Sequence, residues 1–158
     1  MKKKVVLWAV ASVLLAASSC RPGSSPLGPD AGEFVTPSGL KLAVSVSGQG
    51  TGGLSFRIEL KNEGSDTLSV RFSDSQVFDI ALSNSLGGLV WKWSHDKAFA
   101  QLVWQLDLKP GESHPEQGDW DLKANDGSQV PPGTYRVKVW ITSSSPDTNP
   151  SVEFSIKI

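Results

Sequence analysis

Cysteine, tyrosine and methionine each occur once in these 158 residues, and histidine twice. A single thiol excludes an internal disulfide and a thiolate metal cage, so the fold has to be held by its apolar core. The two histidines, His95 and His114, sit in polar surroundings with no ligand-like spacing, and no metal or other cofactor is expected. Basic excess is missing as well: 15 Lys and Arg stand against 16 Asp and Glu, a net charge of −1. Nucleic acid is therefore not an expected partner, because such binding needs a basic patch that releases counterions. Nor are the parts of an enzyme present. Ser94-His95-Asp96 holds three suggestive residue types in a row, but neighbours in an extended chain point to opposite faces and do not converge as a triad. Gly48, Gly50, Gly52 and Gly53 lead into neither a helix nor a phosphate-binding lysine. Asp119 and Asp121, two apart on an expected strand, read as a solvated face. Catalytic function is not expected.

The lone cysteine, Cys20, is informative through its position. Lys2, Lys3 and Lys4 precede an apolar stretch, Val5 to Ala17, broken only by Ser12, and Ala17-Ser18-Ser19 then lead to the thiol. Positive start, apolar middle and small residues form a secretory leader, and the stretch is shorter than the ~20 residues a membrane-spanning helix needs. The cysteine at its end resembles the lipobox of bacterial lipoproteins, with Ala17 where leucine, valine or isoleucine is usual. The resemblance implies lipid on the Cys20 sulfur, cleavage before it, and a membrane as partner through that lipid. Each buried methylene contributes about 0.8 kcal/mol, so two or three acyl chains hold firmly where one would not. Arg21 rather than aspartate after the cysteine implies the outer membrane in a Gram-negative cell. The expected location is the cell envelope, lipid-anchored and extracytoplasmic.

Three segments follow: a leader over residues 1–19, a lipid-anchored flexible tether over 20–39, and one domain over 40–158. The tether carries Arg21-Pro22-Gly23-Ser24-Ser25-Pro26 and further Gly and Pro, which bury too little surface to offset the cost of ordering. Losing the leader removes three lysines and takes the net charge to −4.

From Leu40 onward the apolar period is two. Leu40, Leu42, Val44 and Val46 alternate with polar or small residues, as do Leu54 to Leu60, Leu68 to Phe72, and Phe78 to Leu82. Leu89, Trp91 and Trp93 follow, then Leu102 to Leu108, Tyr135 to Ile141, and Val152 to Ile158, where the domain is expected to be complete. Each set falls on one face of a half-buried strand. Turn chemistry separates them at Ser73-Asp74-Ser75, Asn84 to Gly88, Pro110-Gly111, Asn125-Asp126-Gly127 and Pro131-Pro132-Gly133. The pattern predicts an all-β antiparallel sandwich of seven to nine strands. Trp91 and Trp93 share the core side of one strand, with Lys92 facing away. Tyr135, just past a turn, is placed to hydrogen-bond backbone at a sheet corner.

The ordered elements between Phe72 and Tyr135 resemble the BsuPI family, domains named for an intracellular proteinase inhibitor. They are an Asn62 turn, Phe72 followed by Gln76-Val77-Phe78-Asp79, the Gly87-Gly88 turn into Trp91-Lys92-Trp93-Ser94, Phe99 with Gln101, Leu108-Lys109-Pro110-Gly111-Glu112, Trp120-Asp121, and Val130-Pro131-Pro132-Gly133-Thr134-Tyr135. The resemblance implies an immunoglobulin-like sandwich. Its leading functional implication, combined with the export leader, is a non-enzymatic tethered module that presents sheet edges or loops to an envelope protein. The alternative is an exported inhibitor of a subtilisin-like serine proteinase. Candidate contact loops are residues 94–98, carrying His95, Asp96 and Lys97, and the polar stretch 112–118. Trp140 has the opposite parity to Tyr135, Val137, Val139 and Ile141, so it is expected on the outside, where it could meet a partner protein or a sugar ring.

Overall fold

The computed structural model describes residues 30–48 and 52–158. The leader, Cys20 and the start of the tether lie outside the described residues. Ten strands follow one another: β1 (Asp30–Val35), β2 (Leu40–Gly48), β3 (Leu54–Asn62), β4 (Leu68–Phe72), β5 (Phe78–Ser83), β6 (Leu89–Lys92), β7 (Trp104–Leu108), β8 (Ser113–Trp120), β9 (Thr134–Ile141) and β10 (Ser151–Lys157). They form two four-stranded antiparallel sheets, ordered β1-β2-β3-β8 and β10-β9-β5-β6, and a two-stranded ribbon, β4-β7. The chain is all-β, as the alternation predicts.

The alternating residues fill the space between the sheets. Leu40, Leu42, Phe56, Ile58 and Leu60 from one sheet meet Ile80, Leu82, Val137, Val139 and Ile141 from the other, all of them fully buried. Aromatic rings bridge the layers, with Phe56 of β3 stacked 6.5 Å from Trp91 of β6 and Trp91 tilted 5.5 Å from Trp120 of β8. A Cβ placed on Gly118 of β8 would lie 2.7 Å from Ile80 Cδ1 and 3.2 Å from Phe78 and Trp93, so a side chain there has no room. Asn62 ends β3 as a buried junction. Its amide donates to the Leu108 and Asp66 carbonyls at 2.8 and 2.7 Å and accepts from Gly64 N–H at 2.8 Å. The Tyr135 hydroxyl donates to the Pro131 carbonyl at 2.8 Å, the corner bond its position predicts.

Four expectations need correction. Among the described residues the strands number ten rather than seven to nine. β1 lies within residues 20–39, read as tether, and pairs with β2 from Asp30↔Ser45 to Val35↔Lys41. Its apolar residues do not alternate, and Phe34 and Val35 stay 46% and 44% exposed, so its strand character comes from the ladder rather than from burial. Residues 112–118, a candidate loop, belong largely to β8. The row that β8 sets opposite Leu60, Ile58, Phe56 and Leu54 is His114, Glu116, Gly118 and Trp120, which hides the period from a hydropathy reading. Leu89 and Leu102 are not core residues, being 59% and 58% exposed. A register shift after Leu82 turns Leu89 outward, and β7 begins only at Trp104.

Candidate functional site

The chemistry-bearing residues of the second half gather around β6 and the connections beside it. Trp91 and Trp93 face the core, Trp93 lying 4.3 Å from Phe78, and Lys92 between them faces out. On that outer face β5 sets Asp79 opposite Trp140 of β9, and Ala81 opposite Lys92. Asp79 is 2% exposed. Its carboxylate accepts from the Ser94 hydroxyl at 2.7 Å, Ser94 N–H at 3.2 Å and Ile80 N–H at 2.9 Å. Lys92 Nζ completes the set at 3.1 Å and also stands 5.7 Å over the Trp140 ring. A carboxylate this deeply buried is tolerable because its lone pairs are met by donors and its charge by an ammonium group.

Past β6 the chain curls, with His95 N–H donating to the Lys92 carbonyl and Lys97 N–H to that of Ser94. His95, Asp96 and Lys97 are all exposed there. Lys97 Nζ sits 4.8 Å over the Trp93 ring and 3.9 Å from Asp96. Next to them the 121–129 loop folds over β6: Asn125 Oδ1 accepts from Lys92 N–H at 2.9 Å, and Asn125 N–H donates to the Val90 carbonyl at 3.1 Å. The loops enclose an open depression of about 220 Å³ lined by Trp91, Lys92, His95, Asp96, Lys123 and Asn125 among others. At its rim Lys123, 3.1 Å away and hydrogen-bonded to it, holds the Asp121 carboxyl below the usual carboxylate range.

Of the expected contact residues, His95, Asp96 and Lys97 share one turn, and Lys92 links that turn to Trp140. Trp140 lies on the outer face, as its parity predicts, but is partly covered rather than free. Ser94-His95-Asp96 forms no triad: the Ser94 hydroxyl is spent on Asp79 while His95 stands exposed. Among the described residues no group of three or more His, Cys, Asp and Glu could hold a metal ion, and no helix is long and apolar enough to cross a membrane. Asn125 occupies the β6 edge at Lys92, and Pro115 in β8 has no N–H to offer an added strand.

Sequence reasoning missed two features. Asp79 entered only as part of a pattern, since nothing in its neighbours reveals that Lys92 and Ser94 converge on it. The connection between β6 and β7 runs from Lys97 to Val103 with no turn, bend or strand pairing, and ends in exposed Leu102 and Val103. Two adjacent apolar residues, which cannot both face one core, were the available signal.

A family model described as intracellular proteinase inhibitor, BsuPI, matches residues 40–146, spanning this face and both connections. The chain belongs to the BsuPI family. It is an inhibitor family and not an enzyme family, and membership agrees with the order of elements from Asn62 to Tyr135. No curated protein matches the chain. Among solved structures it is similar to Bacteroides uniformis beta-glucuronidase 2, at 16% identity and TM-score 0.43 over 74% of this chain and 13% of that one. Pseudomonas fluorescens alkylpurine DNA glycosylase AlkC is similar at 15% identity and TM-score 0.35, over 67% of this chain and 26% of the other. Beta-glucosidase 3B of Thermotoga neapolitana gives 21% identity and TM-score 0.35, over 73% and 16%. The chain thus spans only a small part of these proteins, and likeness at this level says nothing about its activity.

Proposed function

We propose that this BsuPI domain is a non-catalytic binding module that occupies the cleft of a serine proteinase, held at a membrane through lipid on Cys20 and displayed outside the cytoplasm. The family match over residues 40–146 carries this reading. It raises the inhibitor alternative above the more general module, because the exposed loops around β6 suit a cleft better than the covered β6 edge suits strand addition. The satisfied Asp79 cluster supports a binding role: it fixes the position of Lys92 and the turn after it.

In this reading the contact surface is the end of the sandwich carrying His95, Asp96 and Lys97, with Trp140 flanking it through Lys92. The leader and Arg21 support placement in the cell envelope, at the outer membrane where a cell has two. The test is inhibition of subtilisin-type and trypsin-type proteinases by the purified full-length protein in mild detergent. Stoichiometric inhibition at sub-micromolar concentration is the expected result. No inhibition by protein with a cooperative melt removes the inhibitor reading and leaves a module for another envelope protein, for which Trp140→Ala would weaken partner binding while sparing the fold. The anchor is tested separately: Cys20→Ala should move the protein out of the membrane fraction and abolish labelling by a radioactive fatty acid.

A further inference from the structure

We infer that residues 101–103 are the segment that enters the proteinase cleft, with Leu102 as the side chain taken up by an apolar specificity pocket. This rests on the inhibitor reading above and assigns it a place on the molecule. A proteinase cleft binds an extended peptide by main-chain hydrogen bonds and reads one side chain in a pocket. A segment that fits must be straight, must keep its backbone donors and acceptors free, and must hold its shape before binding.

All three conditions meet between Ala100 and Trp104. The chain there has no turn, bend or strand pairing. Among the described residues, the backbone groups of Gln101, Leu102 and Val103 hydrogen-bond to nothing. Both flanks are fastened. Ala100 is held by two bonds to Ser75, its carbonyl accepting from Ser75 N–H at 3.0 Å and its N–H donating to Ser75 Oγ at 2.9 Å. Phe99 packs 6.1 Å from Trp93. On the other side the Trp104 indole donates to the Asp74 carbonyl at 2.8 Å and stacks 4.6 Å from Phe72. Three exposed residues therefore bridge two fixed points, so little ordering cost remains to be met on binding. Leu102 and Val103 are 58% and 79% exposed, apolar side chains on a fastened backbone with no core to enter.

The other exposed apolar tip does not meet these conditions. Leu86 is 93% exposed, but it sits in a closed turn in which Asn84 Oδ1 accepts from Leu86 and Gly88 N–H and Gly87 holds a φ of 82°. The turn at residues 94–97 is likewise curled. Occupancy alone explains inhibition here, with no bond made or broken.

The experiment titrates the full-length protein against subtilisin and trypsin, each with a peptide substrate, for the wild type and for Leu102→Asp, Leu102→Lys and Leu86→Asp. Thermal melts confirm that each variant is folded, as expected for substitutions at exposed positions. Leu102→Asp should weaken subtilisin inhibition by about 30-fold or more, the scale of a central binding residue. Leu102→Lys should lose subtilisin and gain trypsin, whose pocket takes a basic side chain, and Leu86→Asp should match the wild type. Subtilisin inhibition that survives Leu102→Asp within about threefold overturns the segment and leaves the inhibitor reading standing. No inhibition by the folded wild type overturns both.

Discussion

Replacing Asp79 with alanine is the sharpest test of how the outer face is held. The substitution removes a carboxylate that is 2% exposed and takes the partner from Ser94 Oγ, Ser94 N–H, Ile80 N–H and Lys92 Nζ together. Hydrogen bonds to a charged group each contribute about 1.5–3 kcal/mol, and stranding one member of a buried ion pair costs about 3–5 kcal/mol. The lower end of that range applies, because the Lys92 side chain is 39% exposed and its ammonium can turn to water. A loss of about 3 kcal/mol follows, equal to a fall in Tm of roughly 10 °C for a domain of this size. Asp79→Asn keeps the shape and one acceptor and should cost about half as much. Lys92→Met leaves the buried carboxylate its three hydrogen bonds but no cation, and should cost about 3 kcal/mol. Urea unfolding followed by tryptophan fluorescence gives all three values, since Trp91, Trp93 and Trp120 pack in or against the core. A cost for Asp79→Ala below about 1 kcal/mol, or one no larger than that of Asp79→Asn, would refute the reasoning.

Gly118→Ala should destabilise by about 1–3 kcal/mol in the same assay, because its Cβ has to displace Ile80, Phe78 or Trp93 across the sheet interface. Tyr135→Phe deletes only the 2.8 Å bond to the Pro131 carbonyl and should cost about 1 kcal/mol, read from the shift in denaturation midpoint. The Ser69 hydroxyl and then the Gln105 amide hold the Asp107 carboxyl below its ordinary value. The folded pKa is depressed, so this contribution is present above the ordinary carboxylate range and lost as pH falls through the lowered value. Ser69→Ala should move the Asp107 carboxyl titration, followed by NMR, back upward.

Strand alternation was legible because burial of one sheet face imposes a period of two on side-chain chemistry. It places Leu40 to Val46, Phe56 to Leu60 and Tyr135 to Ile141 in the core where the structure has them, with Leu54 half-buried against it. β1 and β8 were not legible, because one is made by pairing with β2 and the other turns His114 and Glu116 toward the face its neighbour fills with leucine and isoleucine. The family, the Tyr135 corner and the outward parity of Trp140 were readable from the sequence alone. The convergence of Ser94 and Lys92 on Asp79, the fastening of Ala100 by Ser75 and the exposure of Leu102 were decided by the tertiary structure. Ser75 and Ala100 stand 25 residues apart, and a sequence records which residues can pair while only the packed sheets determine which of them come within reach.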